Sequence, residues 1–148
     1  MTKDTQRKGN AKIHNYCDSI SDDILKDLET KIEIELIRKE KYTVPTYSAK
    51  QLAKDINTNT RYLSATFNLR YGTNYSNYVN KLRVLKAKKL LVKEKGLSLT
   101  MEDISYMVGF SNRQSFYTAF YKFVGMTPRH YRINFFKEKY TKLAEDNG

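Results

Sequence analysis

Apolar positions recur along most of the chain at spacings of three and four residues, the period of a helix with one buried face. Residues 1–20 are polar, lack that period and are read as a flexible tail. From Ser21, a good N-cap followed by Asp22 and Asp23, the apolar series Leu25, Leu28, Ile32, Leu36 predicts an amphipathic helix ending near Tyr42, within a segment bounded at residues 21–44. Pro45 closes this region. Ser48-Ala49-Lys50-Gln51 has the form of a capping box and opens a short helix through Leu52, Ala53 and Ile56. Asn57 supplies a turn. A second helix, capped by Asn59 or Thr60, carries Tyr62, Leu63, Thr66 and Phe67 to a stop at Gly72. A long helix over 75–95 follows, opened by Asn74 or Ser76. Thr100 then starts a short helix broken at Gly109. Ser111 or Asn112 caps another, stopped by Gly125. Thr127-Pro128 opens a last helix over 128–138, with the closing KLAEDNG frayed.

Two of these stretches repeat each other. Leu52, Ala53, Asn57, Leu63, Phe67, Gly72 and Tyr78 correspond to Ile104, Ser105, Gly109, Phe116, Phe120, Gly125 and Tyr131. Each unit is a short helix, a tight turn, a longer helix, a glycine stop and a third helix. Ala53 and Ser105 are small enough for the helices to cross closely. That order is a helix-turn-helix, whose second helix can lie in a DNA major groove. The expected fold is all-α and bilobal. Helix-turn-helix subdomains at 48–72 and 100–125, of homeodomain-like form, are joined by a long linker helix, with an extra N-terminal helix. From about Asn77 to Lys95 this linker spans roughly 29 Å, plus the ends, so the two recognition helices are expected about one DNA turn apart, roughly 34 Å.

Charge sharpens this reading. The 148 residues carry a formal net charge of +11. Residues 1–46 hold nine basic and nine acidic side chains, so all the excess lies on residues 47–148. A basic surface there favours a polyanion partner. Other chemistry is thin. The single cysteine, Cys17, excludes a disulfide framework and a cysteine-rich zinc site. Cys17 and His14 are read as ordinary tail residues, and His130 has no paired nucleophile. No P-loop or spaced carboxylate pair is present, so an enzyme is not expected, nor a cofactor or metal. No apolar run approaches the roughly 20 residues of a membrane span, and a cytoplasmic protein is expected.

The stretch Ile104–Arg132, ISYMVGFSNRQSFYTAFYKFVGMTPRHYR, resembles the DNA-binding domain of the AraC/XylS family of bacterial transcriptional regulators. Its Gly-Phe-Ser, two spaced aromatics, Gly-x-Thr-Pro and following Tyr-Arg carry the likeness. The first repeat matches more loosely, and the resemblance spans about residues 45–135, within a domain bounded at 45–140. It implies a stand-alone, sequence-specific regulator of double-stranded promoter DNA that works with RNA polymerase. A small-molecule effector or a partner protein is left open.

By the same resemblance, Arg61, Ser64 and Ala65 face the bases in the first recognition helix, and Arg113, Gln114, Tyr117 and Thr118 in the second. Arg61 and Arg113 suit guanine O6 and N7, Gln114 suits adenine, and Ala65 suits a thymine methyl. Thr60 and Asn112, as helix N-caps, are phosphate candidates, as are Lys86, Lys89 and Arg129. The competing reading is a helical protein–protein interaction module, or a partner-dependent regulator subunit without specific DNA reading of its own. Polar Arg61, Arg113 and Gln114 at the exposed positions weigh against it.

Overall fold

A computed structural model describes residues 20–148, and every regular element among them is helical. The expectations for the tail, His14 and Cys17 lie outside the described residues. Seven α-helices follow in order: α1 (Asp22–Ile32), α2 (Ala49–Asp55), α3 (Thr60–Thr66), α4 (Tyr75–Val92), α5 (Met101–Val108), α6 (Arg113–Val124) and α7 (Pro128–Asp146). They fall into two compact units. The first holds the described residues up to Lys41 together with Tyr47–Tyr78, and the second holds Tyr42–Thr46 with Val79–Gly148.

Side-chain caps set most helix starts. Ser21, Ser48, Asn59, Thr100, Asn112 and Thr127 each accept from a backbone N–H one turn ahead, satisfying a donor the helix cannot. Thr100 and Asp103 complete a reciprocal capping box. Ser48 and Gln51 do not, because the Gln51 amide turns forward and donates to Asp55 at 2.8 Å. Asn59 rather than Thr60 caps α3, which makes Thr60 its first helical residue. Asn74 opens α4 by accepting from the Asn77 N–H at 2.8 Å.

Three boundaries differ from the sequence reading. The N-terminal helix widens after Ile32 into a turn over Glu33–Arg38, where the Lys39 N–H donates to the Ile34 carbonyl. It ends there, and Glu40 takes a left-handed φ of 51°. Tyr42, expected at the helix end, is instead buried in the second unit. The linker helix stops at Val92, and a 3₁₀ turn covers Glu94–Ser98. The last helix does not fray at 138 but runs to Asp146, through a stretch of Lys, Glu, Leu and Ala with high helix propensity.

The first unit is built on Leu52, Leu63, Phe67, Ile32 and Leu36, all essentially inaccessible. Phe67 meets the rings of Tyr71, Tyr75 and Tyr78 at centroid distances of 5.4, 5.8 and 5.3 Å. Beside this core lies a polar network. Lys41 pairs with Glu35 and with Asp55, and Tyr47 donates to Asp55 at 2.7 Å. Hydrogen bonds from Tyr47, Lys41 and Gln51 hold the Asp55 carboxyl down at about 2. Hydrogen bonds from Lys39 and Lys41 lower that of Glu35. Burial, then the Asp55 carboxylate, pushes the Tyr47 hydroxyl up. Arg70, in the turn after α3, pairs with Asp22 and Glu29 of α1.

The second unit has an apolar core of Val84, Leu91, Ile104, Val108, Phe116 and Phe120. Its segment 42–46 is a strap. The buried Arg83 guanidinium donates to the Tyr42 carbonyl at 2.6 Å and the Val44 carbonyl at 3.3 Å, and lies 5.5 Å from the Phe110 ring. Arg132 of α7 ties in the same way to the carbonyls of Leu91 and Gly96, at 3.1 and 3.0 Å. Main-chain oxygens thus satisfy both guanidinium groups, as buried charge requires.

Candidate nucleic-acid interface

Each unit presents a helix after a tight turn. In the first, Asn57 takes a φ of 54° and the Thr58 N–H donates to the Ala53 carbonyl at 2.8 Å. In the second, Gly109 takes a φ of 108° and the Phe110 N–H donates to the Ser105 carbonyl at 3.0 Å. Ala53 and Ser105 are buried, the small crossing residues the repeat called for. Ser105 also donates its hydroxyl to the Asn112 carbonyl at 3.0 Å, which fixes the start of α6. A Cβ on Gly109 would meet the Tyr42 carbonyl oxygen at 2.6 Å and Arg83 Nε at 2.8 Å, so the turn closes directly on the strap.

The second unit carries most of the expected base-facing set. Arg113, Gln114 and Thr118 are exposed on α6, and Tyr117 is half-buried. The Arg113 guanidinium lies 4.9 Å from the Tyr117 ring and donates to its hydroxyl at 3.3 Å. One edge of the Tyr117 ring is anchored against Phe116, at 5.9 Å. Stacking of this kind limits the conformations of a long cation before it meets a ligand. Gln114 and Thr118 line a shallow groove whose other walls include Asn80 of α4 and Lys122 of α6. Neither of those two was singled out by sequence. Asn80 lies outside the recognition helix, and its signal would have been a polar residue one turn before Arg83 on α4.

The first unit presents less. Arg61 and Ser64 are exposed on α3. Asn68, one turn on, donates its amide to the Ser64 carbonyl at 3.0 Å. Ala65 is not available to a base. It is 3% exposed and packs with Ile20 and Leu25, beside the half-buried Tyr62. The chain leading into α1 covers the face on which Ala65 was expected to read DNA. Its counterpart in the repeat, Thr118, is exposed.

Among the phosphate candidates, Thr60, Asn112, Lys89 and Arg129 are exposed. Lys86 is half-buried, its ammonium 5.9 Å from the Tyr42 ring. Asn112 uses its side-chain oxygen to accept from the Ser115 N–H at 2.8 Å, which leaves its amide NH2 and the backbone N–H groups of the first turn as donors at that end. Among the described residues no group of three or more His, Cys, Asp or Glu is placed to hold a metal ion. No helix among them is long and apolar enough to cross a membrane.

Comparison with known proteins places these features. The profile of a helix-turn-helix domain family matches residues 52–134. The HTH-type transcriptional regulator YtdP of Bacillus subtilis is 30% identical over 125 residues, 84% of this chain, and the chain spans 14% of that regulator's length. Among solved structures, the C-terminal domain of the two-component response regulator YesN from Fusobacterium nucleatum shares 31% identity. Its TM-score is 0.61, and the match covers 70% of this chain and 98% of that one. An AraC-type transcriptional regulator from Chromobacterium violaceum has the same fold, with a TM-score of 0.60 at 24% identity, over 71% of this chain and 91% of its own.

Proposed function

This chain belongs to the AraC-type helix-turn-helix family, whose fold is that of a DNA-binding domain and not of an enzyme, and we propose that it is a sequence-specific regulator of promoter DNA. One observation carries the reading. Arg113, Gln114, Tyr117 and Thr118 stand on the outer face of a helix that a tight turn and a buried Ser105 hold in place. Arg and Gln in the first turn of such a helix are suited to base edges.

In this reading α6 and α3 enter successive major grooves. Arg113 and Gln114 read guanine and adenine, with Tyr117 and Thr118 beside them. Arg61 and Ser64 read the second half-site. Thr60, Asn112, Lys86, Lys89 and Arg129 hold phosphates and set register rather than sequence. The protein acts in the cytoplasm, where it meets the chromosome and RNA polymerase. It binds without a cofactor.

Selection of bound sites from a random duplex library tests this. A bipartite motif with centres about 10 base pairs apart is expected. Enrichment of no motif would reject specific reading and leave the exposed helices as protein-docking surfaces.

A further inference from the structure

The last helix, α7, has two apolar faces, and among the described residues only one of them is packed against the second unit's core. Pro128 is buried, and Tyr131 packs against the core of the second unit. About a third of the way round the helix lie Ile133, Phe136, Tyr140 and Leu143, spaced by three, four and three residues. Ile133, Tyr140 and Leu143 are 51%, 64% and 46% exposed. The rings of Phe136 and Tyr140 stack on each other, with centroids 6.3 Å apart and planes 29° apart. This spacing is that of the core positions of two coiled-coil heptads. A solvated helix face of the same length has no need of it.

The charges on α7 are set against its own dipole. No acidic residue lies in its first turn and no basic one in its last. Arg129, Arg132 and Lys137 fall in its first half with no acidic residue among them, while Glu138, Lys139, Lys142, Glu145 and Asp146 leave the second half slightly acidic on balance. Alone, both ends are disfavoured. A second copy lying antiparallel reverses this, because its acidic C-terminal end falls beside the basic half and the two dipoles oppose. The same alignment layers Ile133 on Leu143 of the other copy and Phe136 on Tyr140 of the other copy, in both directions, as a two-fold contact requires. A parallel pair would instead bring the basic halves together.

We infer that the exposed stripe of α7 pairs antiparallel with the α7 of a second copy of this chain, forming a symmetric dimer. The inference does not depend on DNA reading. Two heptads form a short seam, so the dimer is expected to be concentration-dependent.

The test is the molar mass of the full chain by sedimentation equilibrium, over a series from low-micromolar to sub-millimolar concentration. A rise from 17.4 kDa towards twice that mass is expected. Tyr140→Lys and Leu143→Lys, both at exposed positions, should abolish the rise while helix content by circular dichroism stays the same. A mass that stays at the monomer value throughout would overturn the inference. So would a dimer that both variants leave intact.

Orientation is read from disulfide trapping in a Cys17→Ser background. Ile133→Cys and Leu143→Cys chains should cross-link when mixed and not when alone. Self-cross-linking of Ile133→Cys would mean a parallel pair and overturn the arrangement. Binding of monomers to anionic phospholipid vesicles, lost in Tyr140→Lys, would assign the stripe to a lipid surface instead.

Discussion

The two units follow one sequence plan and settle it differently. In the first, the N-terminal helix lies across the recognition helix, buries Ala65 and ties Arg70 to Asp22 and Glu29. In the second, among the described residues, no such helix intervenes, and Thr118 is exposed. Beside its apolar core the first unit carries charged hydrogen bonds around Asp55 and Glu35, where the second closes its own core with Arg83 and the strap. A repeat in sequence therefore does not imply equal shares in stability or in recognition. What an added element covers decides both.

The largest expected effect comes from the cores. Phe116→Ala or Phe120→Ala should cost about 3–5 kcal/mol, since both rings are fully buried and each leaves a cavity. Phe67→Ala in the first unit should fall in the same range and also release the three tyrosines around it. Urea unfolding followed by tyrosine fluorescence compares the two. If the Phe67 variant unfolds the first unit and leaves the second folded, the units are separately stable.

The turns come next. Gly109→Ala should cost about 2 kcal/mol or more, combining a left-handed φ with the Cβ contacts to Tyr42 and Arg83. Asn57→Gly at the matching turn should be neutral or slightly stabilising, because its φ of 54° already suits glycine. A cost for Gly109→Ala well above that of Asn57→Ala in thermal melts would show the strap, rather than the turn itself, to be the source of the difference.

Recognition separates the units at a similar scale. Arg113→Ala and Arg61→Ala should each weaken binding to the selected site by about 1–3 kcal/mol and relax one base pair. With Ala65 covered, the half-site read by α6 should be the more constrained of the two. A titration against single-base variants measures this, and equal information in both half-sites would contradict the asymmetry. Loss that is uniform across all sequences would make either arginine a phosphate contact.

The smallest effect is acid sensitivity, and it should fall mainly on the first unit. The carboxyls of Asp55, Glu35 and Asp22 are all held below their ordinary values by hydrogen bonds to cations or to Tyr47. A carboxyl lowered on folding stabilises fully above its unfolded value of about 4 and ceases to do so as pH falls through the folded value. For Asp55 that window closes near 2. In the second unit only Asp103 is lowered in this way among the described residues, by the backbone and hydroxyl of Thr100. Amide resonances of Leu63 and Phe67 should therefore broaden or shift between about pH 4 and pH 2 before those of Phe116 and Phe120 do.

Much of this fold was legible because it is local. Caps such as Ser21 and Thr100, stops such as Gly72 and Gly125, and the three–four period of the core act within a turn of where they are read. The recognition faces were legible only where nothing else packs on them. Ala65 has the right position on α3, but Ile20 and Leu25 cover it, and no local pattern announces that contact. Lys86 likewise looks like a solvated cation until the strap brings Tyr42 beneath it. The extension of α7 to Asp146 was a matter of propensity underestimated near a terminus.

The strap also bears on how the molecule can be dissected. Residues 42–46 belong with the second unit although they lie between two segments of the first. A fragment begun at Pro45, where the sequence places the start of the domain, would keep both helix-turn-helix repeats yet remove the carbonyls that Arg83 holds. Its guanidinium would then be left facing an empty trough beside Phe110 and Gly109. Such a fragment should express as a lobe with a loosened second turn, and its behaviour should not be taken for that of the domain.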